Sequence, residues 1–277
     1  MFFKAKAIEY ETIACVSKVE LYPYIRSDNG DKIMWQISPI HGRSFVVNRC
    51  NDGRYVVSKG NGLGYTRHSF VFTPDMPSDV LGLLLKEDAL RDYYCGLDVQ
   101  ALGIKTNQME CVLELDCKLH IPQTGMDLKP VLLQYNVECP YRIADAPFMS
   151  QKQISDEVLK WEYINNKGFD KYYLIAANVM INNLRILHDN EVLHNALTNE
   201  NITWALELLD FELTRTPQHP YTKEDYERHC TNLYDREVLD IYKIILYIAG
   251  CLNETVDYKK LDNMFLDYGF DISKYCL

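Results

Sequence analysis

The feature that most constrains this chain is a change in the spacing of its apolar residues partway along it. Up to about residue 135, short β-prone runs are separated by turn residues. Residues 20–24 lead through Ser27-Asp28-Asn29-Gly30 into 32–37, and 44–50 are joined to 54–59 by Asn51-Asp52-Gly53. An Asp-Gly turn between two such runs predicts a hairpin. Further strands are predicted over 110–115 and 130–135. One helix interrupts them over about 79–101, with Leu81, Leu84, Leu85, Ala89, Tyr93 and Leu97 at helical spacing and Ser78 or Asp79 as its cap. Beyond Pro140 and Pro147 the apolar period turns helical, over 154–165, 170–190 and 237–251, broken by a short apolar strand pair over 201–213. The pattern predicts an α+β chain in two lobes, a β-rich one over 1–138 and a helical one over 139–277.

Charge narrows the possible partners. The chain of 277 residues carries 29 basic and 39 acidic side chains, a net charge of -10. Such a chain lacks the basic footprint of non-specific nucleic-acid binding and repels anionic membranes. Its start, Met1-Phe2-Phe3-Lys4-Ala5-Lys6, has no apolar run like that of a signal peptide, and no apolar stretch is long enough to span a bilayer. The nine cysteines form no C-x-x-C pair, and their odd number and irregular spacing fit reduced thiols. A cytoplasmic protein is expected.

The chemistry concentrates after the second long helix. His194-Asn195-Ala196-Leu197-Thr198-Asn199-Glu200-Asn201, set beside the protein-kinase catalytic loop H-R-D-L-x-x-x-N, has histidine, leucine and the final asparagine in register. Nine residues on stands Asp210-Phe211-Glu212, in the place of D-F-G. An ATP triphosphate needs Mg²⁺, a hard ion that takes oxygen ligands. Asn201 and Asp210 offer an amide oxygen and a carboxylate, on elements that a loop, strand, turn and strand would set side by side. Lys59 closes Val56-Val57-Ser58-Lys59 at a strand end, like the kinase lysine that contacts the α- and β-phosphates. The carboxylate that should hold it is Asp92 or Glu87. Two features depart from a kinase. Ala196 stands where the base aspartate belongs and cannot accept a proton, and the glycines at 60, 62 and 64 follow the lysine instead of preceding it.

These residues resemble the selenoprotein-O family of pseudokinase-fold protein adenylyltransferases. The family's loop looks like H-G-x-x-N-T-D-N-M-S with D-Y-G nine residues after the asparagine, and this chain has H-N-A-L-T-N-E-N-I-T with the same gap. Ser58-Lys59-Gly60-Asn61-Gly62-Leu63-Gly64-Tyr65-Thr66-Arg67 is similar to the family's L-K-G-A-G-P-T-P-Y-S-R, and Leu102-Gly103-Ile104-Lys105-Thr106 to its L-G-I-P-T-T. Counting back from the latter registers Arg91-Asp92-Tyr93 on the family's R-E-F, which favours Asp92 as partner of Lys59. The similarity covers roughly residues 41–215. It implies a bilobal protein-kinase-like fold and transfer of AMP from ATP, with Mg²⁺, to a protein or peptide acceptor. It implies Glu200 as base, Lys59, Gly60, Gly62 and Arg142 at the nucleotide, Asp92 behind the lysine, and Asn201 and Asp210 on the metal. The second phosphate arginine of the family falls on Tyr135, and Cys276 echoes a residue near the family's C-terminus.

Rival readings start from the same residues. Asp210-Phe211-Glu212 looks like the D-F-E of choline-kinase-like phosphotransferases, and HipA-like kinases share the layout. Loss of the base, of one arginine and of the D-F-G glycine equally suits a pseudokinase that binds nucleotide without turnover. His194 more often braces its loop than exchanges protons. No other histidine shows metal-ligand spacing, and neither G-x-S-x-G nor H-E-x-x-H occurs.

Overall fold

The computed structural model describes residues 1–62, 82–121, 125–165, 168–220 and 233–274. The chain is α+β, and its contacts divide it into two compact units. One comprises Met1–Leu97 with Asn107–Pro140, the other Asp98–Thr106 with Tyr141–Leu277.

The first unit is built on an eight-stranded antiparallel sheet. Its strands are β1 (Phe2–Ala7), β2 (Tyr10–Cys15), β3 (Tyr24–Arg26), β4 (Lys32–Trp35), β5 (Ser44–Arg49), β6 (Tyr55–Lys59), β7 (Gln108–Leu115) and β10 (Val131–Val137). They lie in the order β2-β7-β10-β6-β5-β4-β1-β3. A separate hairpin joins β8 (Leu119–Ile121) to β9 (Met126–Leu128). The helix α1 (Lys86–Ala101) follows β6. β6 and β10 sit inside the sheet, and burial leaves little of the alternation expected of a half-exposed strand: every residue of β10 is buried.

The hairpin predicted at Asn51-Asp52-Gly53 forms, with β5 and β6 paired antiparallel. The start of the chain behaves differently from its sequence pattern. Residues 1–6 carry only two phenylalanines among lysines and alanines, yet β1 inserts between β3 and β4 and pairs with both. Ala5 is fully buried with Met34 and Phe45, while Phe2, Lys4 and Lys6 stay exposed. Residues 20–23 are held by a side chain instead of a ladder. The Gln134 amide donates to the Glu20 carbonyl at 2.7 Å, and its oxygen accepts the Tyr22 N–H at 3.1 Å. The helix predicted from about residue 79 starts only at Lys86. Leu84 is taken by a bridge to Val131, which pulls the preceding backbone into the sheet. Ser78, Asp79, Pro74, Pro77 and the stretch from Leu63 to Arg67 lie outside the described residues.

The second unit is helical, with α2 (Gln151–Asn165), α3 (Tyr172–Asp189), α4 (Leu233–Cys251) and α5 (Tyr258–Asp267). α3 packs against the other three, so its residues are buried on nearly every side from Tyr172 to Leu187. Between α3 and α4 the chain makes the polar loop described below. The strand pair expected over 201–213 is reduced to a single bridge, Ile202 with Leu208, because Leu206 turns at φ 61° and the bend closes after one pair. Among the described residues no helix is long and apolar enough to cross a membrane.

Gly30 shows how closely β1 is seated. A Cβ built there would lie 2.0 Å from the Ala5 carbonyl oxygen, a backbone atom that cannot move alone. Gly30→Ala should therefore displace β1 and cost about 1–3 kcal/mol, the usual range for overpacking. Urea unfolding reads this as a lower midpoint at unchanged slope. A midpoint within error of the parent would refute the close seating of the turn on β1.

Candidate functional site

In the first unit the basic residue is Lys59, the last residue of β6. A lone ammonium in so buried a place would cost several kcal/mol. The Lys59 Nζ donates to the Asp92 carboxylate at 2.8 Å, with side-chain exposures of 5% and 1%. Asp92 reaches it from the buried face of α1, whereas Glu87 is exposed on the first turn. The choice left open between the two acids thus falls on Asp92 by geometry.

The glycines after the lysine have another role than a phosphate cradle. The Gly60 N–H donates to the Arg43 carbonyl at 3.0 Å and the Gly62 N–H to the Gly82 carbonyl at 3.0 Å. Neither amide is open to an anion. Gly60 holds φ at 98°, and a Cβ there would meet the Val131 oxygen at 2.5 Å and the Leu84 Cβ at 2.8 Å. Its small size lets β6 leave the sheet beside Leu84 and Val131. Tyr135, on the neighbouring strand, is a buried core residue.

In the second unit the loop of His194 to Asp210 is held from three sides. His194 is fully buried. Its Nε2 lies 2.9 Å from the Leu209 carbonyl and its Nδ1 accepts the Ala196 N–H at 3.3 Å. A carbonyl can only accept, so the proton sits on Nε2 and the ring is neutral. Burial pushes the His194 imidazole below its ordinary value, which favours that same neutral form. The ring also lies against Phe211, with centroids 5.3 Å apart. His194 braces the loop and has no open nitrogen for proton exchange.

The second support is Glu237 on α4, a residue the sequence reading used only as a helix start. Its carboxylate is 2% exposed, accepts the Asn195 N–H at 2.6 Å and pairs with His188 Nε2 at 2.9 Å. A signal for it existed. Glu237 continues the buried stripe of Ile241, Ile245 and Ile248 on α4, and an acid on an apolar stripe needs a polar partner. Asn195 itself sits at φ 63°, a left-handed conformation that asparagine tolerates better than most residues.

The third support is the segment after Pro140. The Ile143 and Ala144 N–H groups donate to the Ile202 and Asn199 carbonyls at 2.8 and 2.9 Å. The Arg142 guanidinium donates to the Glu200 carbonyl at 3.0 Å. Arg142 is buried, so its observed work is to hold the backbone of the residue named as base. The Glu200 carboxylate is exposed.

What this frame presents is a set of oxygens. The Leu209 N–H donates to the Asn201 carbonyl at 2.9 Å, which sets Asp210 next to Asn201 across the narrow bend. The Asn201 amide nitrogen donates to the Ala196 carbonyl at 2.9 Å, which turns its oxygen the other way. Asp210 takes φ 65° and leaves the ladder abruptly. One carboxylate oxygen each of Asp210 and Glu212 lie within 4.8 Å of each other. An amide oxygen and two carboxylates are the donor types a hard divalent cation takes, so the residues present fit Mg²⁺. Glu212 joins the set where D-F-G has a glycine. Cys276 lies outside the described residues.

No protein-family model matches the chain, and no curated protein matches its sequence.

Two expectations follow. Removing one member of the buried pair strands the other charge, so Lys59→Met or Asp92→Leu should each cost about 3–5 kcal/mol. The double variant should lose less than the sum of the two, as read by urea unfolding in a double-mutant cycle. Additive losses would show that the two charges are not coupled. His194 sets a pH dependence. Its pKa is lowered on folding from 6.5, so below pH 6.5 the unfolded chain binds a proton that the folded one refuses. Stability then falls with falling pH, with a limiting slope of about 1.4 kcal/mol per unit, and is unaffected by this group above pH 6.5. Unfolding midpoints between pH 7.5 and 5 should fall less steeply in His194→Gln than in the parent, and equal slopes would contradict the assignment.

Proposed function

We propose that the chain is an ATP- and Mg²⁺-dependent transferase of bilobal protein-kinase-like fold, which moves AMP from ATP to a hydroxyl side chain of a protein or peptide in the cytoplasm. The observation that carries the reading is the paired Lys59–Asp92 ammonium, 2.8 Å apart in a buried setting, at the place in the motif order where a phosphate-binding lysine belongs. The reading is further supported by the braced loop that presents Asn201, Asp210 and Glu212, and by the α+β arrangement of a sheet-based unit and a helical one. Free cysteines at every described cysteine position suit a reducing compartment.

In this reading Lys59 neutralises the phosphates through its ammonium, since the amides of Gly60 and Gly62 are engaged elsewhere. Bound Mg²⁺ would offset phosphate charge, held by the Asn201 amide oxygen and the Asp210 and Glu212 carboxylates. The acceptor hydroxyl oxygen attacks the α-phosphorus, the bond to the bridging oxygen breaks, and pyrophosphate leaves. Glu200, exposed beside Asn201, takes the hydroxyl proton. AMP transfer is preferred to phosphate transfer because Ala196 leaves the kinase base position without a proton acceptor. The same alanine favours a second reading, a nucleotide-binding protein without turnover.

The test uses the chain with an acceptor mixture and ATP labelled at either the α- or the γ-phosphate. Label should enter protein from the α position only, and Asp210→Ala and Lys59→Met should lower it by about 100-fold or more. Label from the γ position alone would replace AMP transfer by phosphate transfer. A thermal shift with Mg²⁺ and ATP, lost in Asp210→Ala, together with no label from either position, would establish the second reading.

A further inference from the structure

Two of the free cysteines face each other across a pair of strands. β2 runs antiparallel to β7, and their register sets Cys15 directly opposite Cys111. The Val16 N–H donates to the Glu110 carbonyl at 3.0 Å, one residue outside the pair. The cysteines therefore occupy a non-hydrogen-bonded position of the ladder, where Cα atoms stand about 4.5 Å apart and opposite side chains share a face. A disulfide spans about 4.4–6.8 Å between Cα atoms, so backbone geometry already suits a bond. Cys117 lies six residues further along the chain from Cys111, about 20 Å in extended chain, and no other described cysteine stands in register with a second one.

The two thiols differ in access. Cys15 is exposed, and its thiol donates to the Ser17 carbonyl at 2.7 Å. Cys111 is fully buried among Leu113, Leu115 and Leu132, and burial pushes its thiol up to about 12. An oxidant in solution thus meets Cys15 first and reaches Cys111 only through it. Both thiols bear on the phenol of Tyr93, the α1 residue that follows Asp92, so the pair sits under the helix that holds Lys59.

We propose that Cys15 and Cys111 are a reversible redox site, at which a hydroperoxide converts the two thiols into a cross-strand disulfide. The Cys15 thiolate attacks a peroxide oxygen, the O–O bond breaks, and Cys15 becomes a sulfenic acid as one water or alcohol leaves. The Cys111 sulfur then attacks the Cys15 sulfur and the S–O bond breaks. The departing hydroxide takes the Cys111 proton and leaves as water. Two thiols lose two electrons and the peroxide gains them. A small dithiol reverses the step by exchange. Cys15 needs only a side-chain rotation away from the Ser17 carbonyl to reach its partner. The bond would pin β2, an edge strand with a bulge between Thr12 and Ala14, to β7. The assignment does not rest on the nucleotide reading.

The full chain treated with a small excess of hydrogen peroxide decides the matter by intact mass and peptide mapping after alkylation. The expected product has lost two hydrogens, has two fewer alkylated cysteines, and yields a Cys15–Cys111 linked peptide that dithiothreitol cleaves. Cys15→Ser should lose no hydrogens under the same conditions. Cys111→Ser should leave Cys15 as a sulfenic acid trapped by a dimedone probe, and if that variant does not fold, Cys15→Ser alone carries the comparison. A linked peptide joining other cysteines, a Cys15 that still alkylates fully, or a mass gain without cross-link would overturn the proposal.

Discussion

Everything on the sheet side of this protein is arranged around one buried charge. A lysine ammonium at 5% exposure is tolerable only with an opposite charge in contact. That requirement couples three elements. β6 must lie inside the sheet, between β5 and β10, so that its end is covered. α1 must turn the face bearing Asp92 inward. The chain leaving β6 must pass close to Leu84 and Val131, which only a glycine at 60 permits. A pair of this kind contributes little net stability compared with an apolar substitute, so its presence is better understood as placement of a charge than as reinforcement of the core. The oligopeptide logic is economical: the residue that clears the path is the one directly after the residue that carries the charge.

The helical unit solves a different problem. Its loop contains left-handed residues at Asn195, Leu206 and Asp210, each of which costs about 1–3 kcal/mol and persists only if the surroundings over-determine it. The surroundings here are hydrogen bonds from separate elements. His194 ties the two ends of the loop together, Glu237 fixes the Asn195 amide from α4, and the segment after Pro140 straps residues 199–202. Each support uses a group whose alternative is an unsatisfied buried atom. The loop therefore cannot relax one contact without paying for another.

Legibility in the sequence followed the range of the interactions. The Asn51-Asp52-Gly53 hairpin and helices α2, α3 and α4 follow from local turn chemistry and apolar period, and they stand within a few residues of expectation. β1 did not, because its burial rests on one alanine packing against Met34 and Phe45 from distant strands. The late start of α1 escaped for the same reason: Leu84 fits the helical stripe, and a bridge to Val131 overrides it. At the site, Lys59 and Asp92 could be named from motif order, and so could Asn201 and Asp210. Gly60 and Gly62 read as phosphate loop because glycine beside lysine has two explanations, anion approach and close packing. Only the partners of their amides separate the two. Glu237 was visible as an acid on an apolar stripe, but its partner is a backbone amide, which no side-chain pattern reports.

These observations order the roles of the polar residues by burial. Fully buried groups, His194 and Glu237, have all their evident bonds inside the protein and act on backbone. Arg142, nearly as buried, likewise grips a carbonyl. The side chains turned outward from that frame are the Asn201 oxygen, the Asp210 and Glu212 carboxylates, and the exposed Glu200. A neutral histidine at the centre is what makes this arrangement workable. An imidazolium there would attract Asp210, which lies close enough to favour the charged ring, and would draw the carboxylate into the loop. Burial suppresses that charge, so the acids stay directed away from the brace. The frame is thus held by neutral contacts so that its anionic groups remain available to a cation.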